Sequence, residues 1–182
     1  MSKPRVIGKA FLDEHVVRSW DEFSPCRTWR YRLAFDFAAA GEAAGRLAFI
    51  GLNPSTAEAW TLDPTVFKVA RLARRLGCGG LDVFNAFGLV STDPAGLKEV
   101  ADPVGPGNDT ALATIGDQDT VLAAWGVHAG LGDRFVRLRE LLPERVVCLG
   151  VTKAGFPRHP LYVPESVEPT PYEWREWRER RE

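Results

Sequence analysis

The fold of this chain is decided by one stretch, Leu47-Ala48-Phe49-Ile50-Gly51-Leu52-Asn53-Pro54-Ser55-Thr56. Its first four residues form a short, unbroken apolar run, which is typical of a strand buried on both faces. Turn-forming residues follow, and then a helix start signal, Asp63-Pro64-Thr65, with aspartate as N-cap and proline at the first helical position. A buried strand, a polar loop and a helix in this order indicate an α/β fold.

The same alternation of apolar strands and helices continues along the chain. Further strands are predicted at 81–85, 121–125 and 145–149, and an alternating segment from Trp29 to Phe37 predicts a half-buried strand that precedes them. We therefore expect a three-layer α/β/α sandwich around a mostly parallel, four- to five-stranded sheet. The predicted organisation is an irregular N-terminal lead-in over 1–27, one α/β domain over 28–165 and a C-terminal helix over 166–182.

Composition excludes several classes of protein. The chain has 182 residues, of which 45% are hydrophobic and 26% are charged, as in ordinary globular domains. Its apolar runs are too short to span a bilayer, and no apolar segment follows the N-terminus as in a signal peptide. The three cysteines are widely spaced, which favours reduced thiols and a cytoplasmic protein. No metal-ligand spacing and no cofactor motif is visible, so we predict neither a metal nor a cofactor, and no membrane partner.

The net charge is −1, yet arginines are grouped along the chain. Two interpretations remain open: solvated helix faces with interleaved glutamates, or a surface that faces phosphates. The groups are Arg71, Arg74 and Arg75; Arg134, Arg137 and Arg139; and Arg175, Arg178, Arg180 and Arg181.

The loop Gly51–Thr56 is the first candidate for function, because ligands of such sheets bind at the carboxyl ends of the strands. It offers a glycine for close approach, the Asn53 amide and the hydroxyls of Ser55 and Thr56 ahead of a helix, which suits a phosphate or another small polar group. It lacks the patterns of a P-loop and of a dinucleotide fingerprint. The structural alternative is a tight turn in which Asn53 bonds its own backbone.

Three other strand ends carry candidate residues. His159 lies in Lys153-Ala154-Gly155-Phe156-Pro157-Arg158-His159-Pro160, beside cationic and aromatic residues. The two prolines hold it rigidly, which favours a role in electrostatic stabilisation of a ligand. Asn85 ends a strand, where an amide can read the edge of a base or bind a neighbouring loop. Trp125 can form a stacking wall, although a tryptophan at a strand end is more often core. A Ser55–His159–Asp63 triad is not supported by any spacing, and no nucleophile elbow occurs.

The ordered loops carry a resemblance to the bacterial domain-of-unknown-function family 1643. It rests on five motifs between about residues 26 and 164: Gly51–Ala57; Asp63–Thr65; Asp102–Pro106 with Asn108-Asp109; Ala124–Gly126; and Leu149–Tyr162. These signatures are long and ordered, and they imply a family without an established activity.

The same order of loops more distantly resembles the uracil-DNA glycosylase superfamily, which implies a uracil-DNA-glycosylase-like fold. The resemblance implies that the Asn53 loop handles the water or the sugar cation, that Asn85 recognises the base, and that His159, with Lys153 or Arg158, stabilises the leaving base anion. A flipped base would meet Phe87 or Trp125 as a pocket wall, and arginines would hold phosphates.

This chain departs from the glycosylase pattern in two places. An amide at position 53 cannot act as a general base, and Arg158-His159-Pro160-Leu161-Tyr162 lacks the serine that usually follows His-Pro. Three hypotheses therefore stand: a DNA or nucleotide N-glycosidase, a non-catalytic nucleic-acid or nucleotide binding module, and an enzyme acting on a small phosphorylated metabolite. The predicted catalytic residues are Asn53 and His159. The predicted substrate-binding residues are Gly51, Ser55, Thr56, Asp63, Asn85, Phe87, Trp125, Lys153 and Arg158.

Overall fold

A computed structural model describes residues 8–38, 45–55, 59–117, 119–127 and 133–174. The strands are β1 (Val16–Phe23), β2 (Arg30–Phe37), β3 (Arg46–Gly51), β4 (Gly80–Asn85), β5 (Thr120–Ala123), β6 (Val146–Cys148) and β7 (Thr170–Pro171). The α-helices are α1 (Lys9–His15), α2 (Pro64–Arg75), α3 (Asn108–Leu112) and α4 (Arg134–Leu141), and 3₁₀ turns cover Pro94–Lys98 and Pro160–Tyr162.

The predicted βα unit around β3 has the expected local chemistry. The Asp63 carboxylate caps α2 by accepting a hydrogen bond from Val66 N at 2.8 Å, and Pro64 is the first helical residue. Gly77 follows the helix with φ of 74°, a left-handed conformation that glycine adopts without steric cost. Local sequence signals therefore define both ends of α2.

All seven strands form one mixed sheet in the order β1-β2-β4-β3-β5-β6-β7. The pairs β3–β4, β3–β5 and β5–β6 are parallel, whereas β1–β2, β2–β4 and β6–β7 are antiparallel. An α/β sheet is thus confirmed, but the prediction of a mostly parallel sheet of four to five strands is wrong. Parallel pairing is confined to the four central strands, and antiparallel strands extend the sheet on both sides.

Helices cover both faces of the sheet, because successive residues of the central strands point to opposite sides. Leu47 and Phe49 of β3 belong to one core, which we call the α2 core because it contains the buried face of α2. Ala48 and Ile50 belong to the other, which we call the α4 core and which includes residues of α3 and α4. The longest helix of the described ranges has 12 residues, so none of the helices in them is long and apolar enough to cross a membrane.

Both predicted terminal segments need correction. The described part of the lead-in is not irregular, since it contains α1 and β1; β1 was missed because its burial pattern does not alternate. In the predicted C-terminal helix, residues 170–171 instead form β7, and residues from 175 onward lie outside the described ranges.

The β2 strand also differs from its half-buried prediction. Arg30 and Ala34, on the expected polar side of the alternation, are only 3% and 0% exposed. On that side Arg32 and Arg46 both bind the buried Asp82 carboxylate, at 2.9 and 2.6 Å, and Arg46 also binds Asp36 at 2.7 Å. Both sides of β2 are therefore covered, and its charged residues are matched by partners on neighbouring strands.

Candidate functional site

A cavity of about 760 Å³ lies at the carboxyl ends of β3, β4 and β5. The strands β3 and β5 are neighbours in the sheet, but the connection from β3 runs to β4 on one side and the connection from β5 runs to β6 on the other. Ligands of open α/β sheets bind in the crevice at such a switch point. The position of the cavity is therefore a consequence of the strand order.

The floor of the cavity is formed on the face of the sheet that carries the α2 core. Phe49, Val83 and Ala124 line the cavity from three neighbouring strands, and Gly51 and Asn85 lie one alternation step further along β3 and β4. Because these residues share one face, their side chains open towards the N-terminus of α2.

Gly51 makes room for the Asn85 side chain. A Cβ atom at position 51 would lie 2.8 Å from Asn85 Oδ1, closer than unbonded atoms approach. Asn85 is 4% exposed, and its Nδ2 has no hydrogen-bond partner among the described residues. A buried amide donor without a partner costs free energy, so a ligand acceptor in this cavity would satisfy it.

Asn53 is held by its amide nitrogen. Nδ2 donates to Ser91 O at 2.7 Å and to Pro54 O at 3.2 Å, and both acceptors are carbonyls, so the nitrogen must be the atom facing them. The structural alternative is thus partly correct, since Asn53 does bind its own loop. Its Oδ1 accepts no hydrogen bond from the described residues and is left to bind a ligand or water.

His159 is the N-cap of the turn Pro160–Tyr162, and its Nδ1 accepts a hydrogen bond from Leu161 N at 3.4 Å. Burial lowers the pKa of His159, the Asp63 carboxylate opposes this, and the Lys68 ammonium lowers the pKa further. The imidazole is therefore neutral at pH 7. Since Nδ1 accepts, the proton lies on Nε2, which makes Nε2–H a donor.

The loops around the cavity are joined to each other by backbone hydrogen bonds. Ser91 N donates to Pro54 O at 3.0 Å, and Gly126 N donates to Pro157 O at 3.1 Å. The first bond connects the loops that follow β3 and β4, and the second connects those that follow β5 and β6. The site is therefore built before any ligand arrives, which lowers the entropic cost of binding.

Eight of the eleven predicted site residues border this one cavity: Gly51, Asn53, Ser55, Asp63, Asn85, Trp125, Arg158 and His159. Their convergence is observed, while their roles stay predictions. Trp125 is 1% exposed, and its ring stacks on Trp174 with centroids 5.5 Å apart in the α4 core, so the ring is core rather than a stacking wall.

The other three predicted residues do not contribute to the cavity as described. Phe87 is 1% exposed and packs in the α4 core, so the prediction that it forms a wall of the pocket is wrong. Lys153 is exposed and does not border the cavity. Thr56 lies outside the described residues.

Several cavity residues were not predicted, above all Arg30, which is buried and borders the cavity. Its only sequence signal is a cation at the start of a strand, and the alternation pattern placed it on an exposed face. Tyr162, Thr65, Ser91 and Thr152 also border the cavity. They come from three segments distant in sequence, since Thr152 and Tyr162 share one segment, and nothing local identifies the three segments as neighbours.

The arginine groups are mostly engaged in ion pairs. Arg71 and Arg75 pair with Glu165 and Glu168 at 2.9 and 3.2 Å, and Arg137 pairs with Asp109 at 2.8 Å. This favours the interpretation as solvated, glutamate-paired helix faces. The group from Arg175 onward lies outside the described residues.

Fold and cavity together define an α/β protein with a pocket at the switch point of its sheet, in which polar side chains face an apolar floor. The chain belongs to the family described as Protein of unknown function (DUF1643), whose model matches residues 30–161. No curated protein and no solved structure gives a significant match to the chain. The resemblance to the uracil-DNA glycosylase superfamily is therefore not supported by these comparisons, and the uracil-DNA-glycosylase-like fold that it implied is not confirmed.

Proposed function

We propose that the cavity binds a nucleobase and cleaves its N-glycosidic bond, in DNA or in a nucleotide. The observation that carries this proposal is the convergence of Asn53, Asn85 and His159 on one cavity, although they follow three different strands. This chemistry needs a group that recognises the base, a donor for the leaving base and an acceptor that positions water. The Asn85 amide, the neutral His159 imidazole and the anchored Asn53 amide oxygen supply them in that order.

In the proposed site Asn85 recognises the base. Its unpartnered Nδ2 donates to a base acceptor, and its Oδ1 accepts from a base N–H, so one side chain reads both features of an edge. The apolar floor, which includes Phe49 and Val83, covers the faces of the base. Recognition gains strength here because the amide is already buried and unpaired.

His159 acts on the leaving group. When the bond between C1′ and the base nitrogen breaks, its electron pair stays on the base and makes it an anion. The neutral imidazole donates a hydrogen bond from Nε2 to this developing charge. The fixed Nδ1 contact with Leu161 N orients the ring towards that role.

Asn53 positions the attacking water. Its Nδ2 is bound to loop carbonyls, so Oδ1 has a fixed direction and accepts a hydrogen bond from a water that adds to the sugar cation. An amide does not take up the proton, which leaves with solvent or with Asp63, the one carboxylate among the described residues of the lining. Because no strong base among the described residues is placed next to Asn53, the proposed reaction proceeds through the sugar cation.

Release of free base is the test. Oligonucleotides containing uracil, hypoxanthine or mismatches, together with the corresponding mononucleotides, are incubated with the protein, and abasic sites and free bases are quantified. His159→Ala is expected to lower the rate about 100-fold or more, and Asn53→Ala is expected to lower it less. Absence of any base release at high protein concentration would reject the proposal.

A second candidate, a non-catalytic module that binds a nucleic acid or nucleotide, is favoured by one observation. Asp63 is engaged as the α2 cap, and neither Asn53 nor the hydrogen-bonded Nδ1 of His159 is placed to take a proton from water. A binding module retains base without releasing it. Salt-dependent binding would favour either nucleic-acid function over an enzyme acting on a small phosphorylated metabolite.

A further inference from the structure

Arg30 is the buried cation of the cavity, and the proposed reaction gives it no role. The residue is 3% exposed and borders the cavity from β2. Its backbone N donates to Gly88 O at 2.8 Å, which fixes the start of β2 beside the segment that follows Asn85. Arg30 therefore borders the cavity from the side of β2 and β4.

The charges of the cavity are unevenly placed. Among the described lining residues, the formally charged side chains are Arg30, Asp63 and Arg158. Arg158 is exposed, and Asp63 lies at the N-terminus of α2. Arg30 comes from β2 and His159 from the segment after β6, and these strands lie on opposite sides of β3 in the sheet order. The two groups therefore approach a bound ligand from opposite sides.

A guanidinium carries five N–H donors and no acceptor, and it stays charged at any pH relevant to the protein. It can keep a protein partner and still donate to a ligand. In a buried position its field is screened little by water, so it favours an acceptor that carries negative charge. An amino group presented to it would bring two sets of donors together and leave both unsatisfied.

On the basis of the proposed function, we propose that Arg30 is a further catalytic and specificity-determining residue, which binds an oxo group of the base. It selects oxo bases, such as uracil and hypoxanthine, over the matching amino bases, cytosine and adenine. When the bond from C1′ to the base nitrogen breaks, the electron pair that stays on the base is delocalised onto this oxo oxygen. Arg30 stabilises that charge without transferring a proton, while water adds to C1′.

The test uses matched pairs of free bases with the full chain. Dissociation constants are measured by calorimetry for uracil against cytosine and for hypoxanthine against adenine, because the members of each pair share a ring and differ at the oxo or amino edge. We expect the oxo base to bind about 10- to 100-fold more tightly in both pairs, as one charge-assisted hydrogen bond provides. Equal binding, or tighter binding of the amino bases, would overturn the role of Arg30.

Substitution of Arg30 assigns the preference to this residue. Arg30→Met is expected to reduce the oxo preference to less than about threefold, and Arg30→Lys to retain part of it. Arg139→Met, which removes an exposed arginine of α4, is the matched control and is expected to keep the wild-type ratio. If a folded Arg30→Met variant kept the wild-type ratio of the two dissociation constants, the assignment of the oxo preference to Arg30 would be overturned. If Arg30→Met does not fold, the titrations of the wild-type protein still test whether the oxo preference exists.

Failure of this inference and failure of the proposed function give different results. If amino bases are bound and released as well as oxo bases, the N-glycosidic function stands and the role of Arg30 is rejected. If no base is bound and none is released from any substrate, the proposed function is rejected and the inference with it.

Discussion

The end of β4 has two sides that use the same residue types differently. On the cavity side, Asn85 is 4% exposed, and its amide nitrogen has no hydrogen-bond partner among the described residues. On the opposite side, Asn108 is fully buried, and its Nδ2 donates to Asn85 O at 3.1 Å and to Ala86 O at 3.3 Å. Arg134, also buried, donates to Ala86 O and to the Asp109 carboxylate. We call this second group, Asn108, Asp109 and Arg134, the anchor cluster.

The comparison separates residues that hold the chain from residues that are left to bind. The anchor cluster fixes the carbonyls of Asn85 and Ala86, and it thereby fixes the backbone from which the Asn85 side chain enters the cavity. A motif such as Asn108-Asp109 is polar and regular in sequence, yet it serves the fold. Stability should therefore respond to changes in the anchor cluster, and ligand binding to changes in the cavity.

The largest expected effect is that of Arg134→Met. It removes a donor from Ala86 O and leaves Asp109 with Arg137 as its remaining ion-pair partner among the described residues. Breaking a buried charged contact of this kind costs about 3 kcal/mol of unfolding free energy. Urea denaturation measures it. The exposed Arg139→Met is the control, expected within about 0.5 kcal/mol of wild type; equal stability of the two variants would contradict the anchoring role.

A pair of asparagine substitutions tests the comparison more directly. Asn108→Ala should lower the unfolding free energy by about 2 kcal/mol, because it removes the side-chain donor of the Asn85 carbonyl and one of the two side-chain donors of the Ala86 carbonyl. Asn85→Ala should change it by less than about 1 kcal/mol, because Asn85 Nδ2 has no partner to lose in the described part of the chain. Base affinity, measured by calorimetry, should fall about tenfold or more in Asn85→Ala. A reversed order of the two stabilities would invalidate the distinction between the sides.

A smaller effect is expected for Gly51→Ala. The new Cβ would meet Asn85 Oδ1 at 2.8 Å and Phe49 Cε1 at 3.2 Å, so the amide must shift. We expect a loss of about 1 kcal/mol in unfolding free energy and weaker base binding. The clash with the amide is absent when position 85 is alanine, so a double-mutant cycle of Gly51→Ala with Asn85→Ala should give a favourable coupling; strict additivity would mean that Gly51 does not make room for Asn85.

The sequence predicted those parts of the fold that depend on residues adjacent in the chain. The run Leu47–Ile50, the turn residues after it and the Asp63-Pro64 start of α2 are all observed, because strand burial, turn formation and helix capping depend on adjacent residues. The two edge strands, β1 and β7, were not predicted. β1 lies at the sheet edge with an irregular burial pattern, and β7 has two residues, one of them proline, so neither carries a strand period.

The candidate site divides in the same way. Strand-end position predicted Gly51, Asn53 and Asn85, because the rule that ligands bind at the carboxyl ends of strands needs only the strand order. It did not predict Arg30, since alternation tells which face a side chain occupies but not whether another layer covers that face. Phe87 was assigned to the pocket because a flipped base needs an aromatic wall, yet it packs in the α4 core.

The smallest expected effect is a difference in pH dependence between the two sides. Burial lowers the pKa of His159 below its ordinary value of 6.5, so the unfolded chain binds a proton in a range where the folded chain does not. The unfolding free energy should therefore fall as the pH decreases through about 6.5, and this part of the fall should end below the pKa of His159 in the folded state.

The pKa of Asp109, on the other side, is also lowered. Burial raises this pKa, but hydrogen bonds from Arg137 and Arg134 bring it below 3.8. The contribution of Asp109 is consequently present above pH 3.8 and is lost only at more acidic pH.

Urea denaturation between pH 8 and pH 5 separates these contributions, because Asp109 stays ionised throughout that range. His159→Gln should make the unfolding free energy less dependent on pH there. Asp63→Asn should make it more dependent, because the asparagine still caps α2 but no longer raises the pKa of His159. If His159→Gln kept the wild-type slope, the neutral state of the half-buried imidazole would be wrong, and with it the donor that the cavity offers to a leaving base.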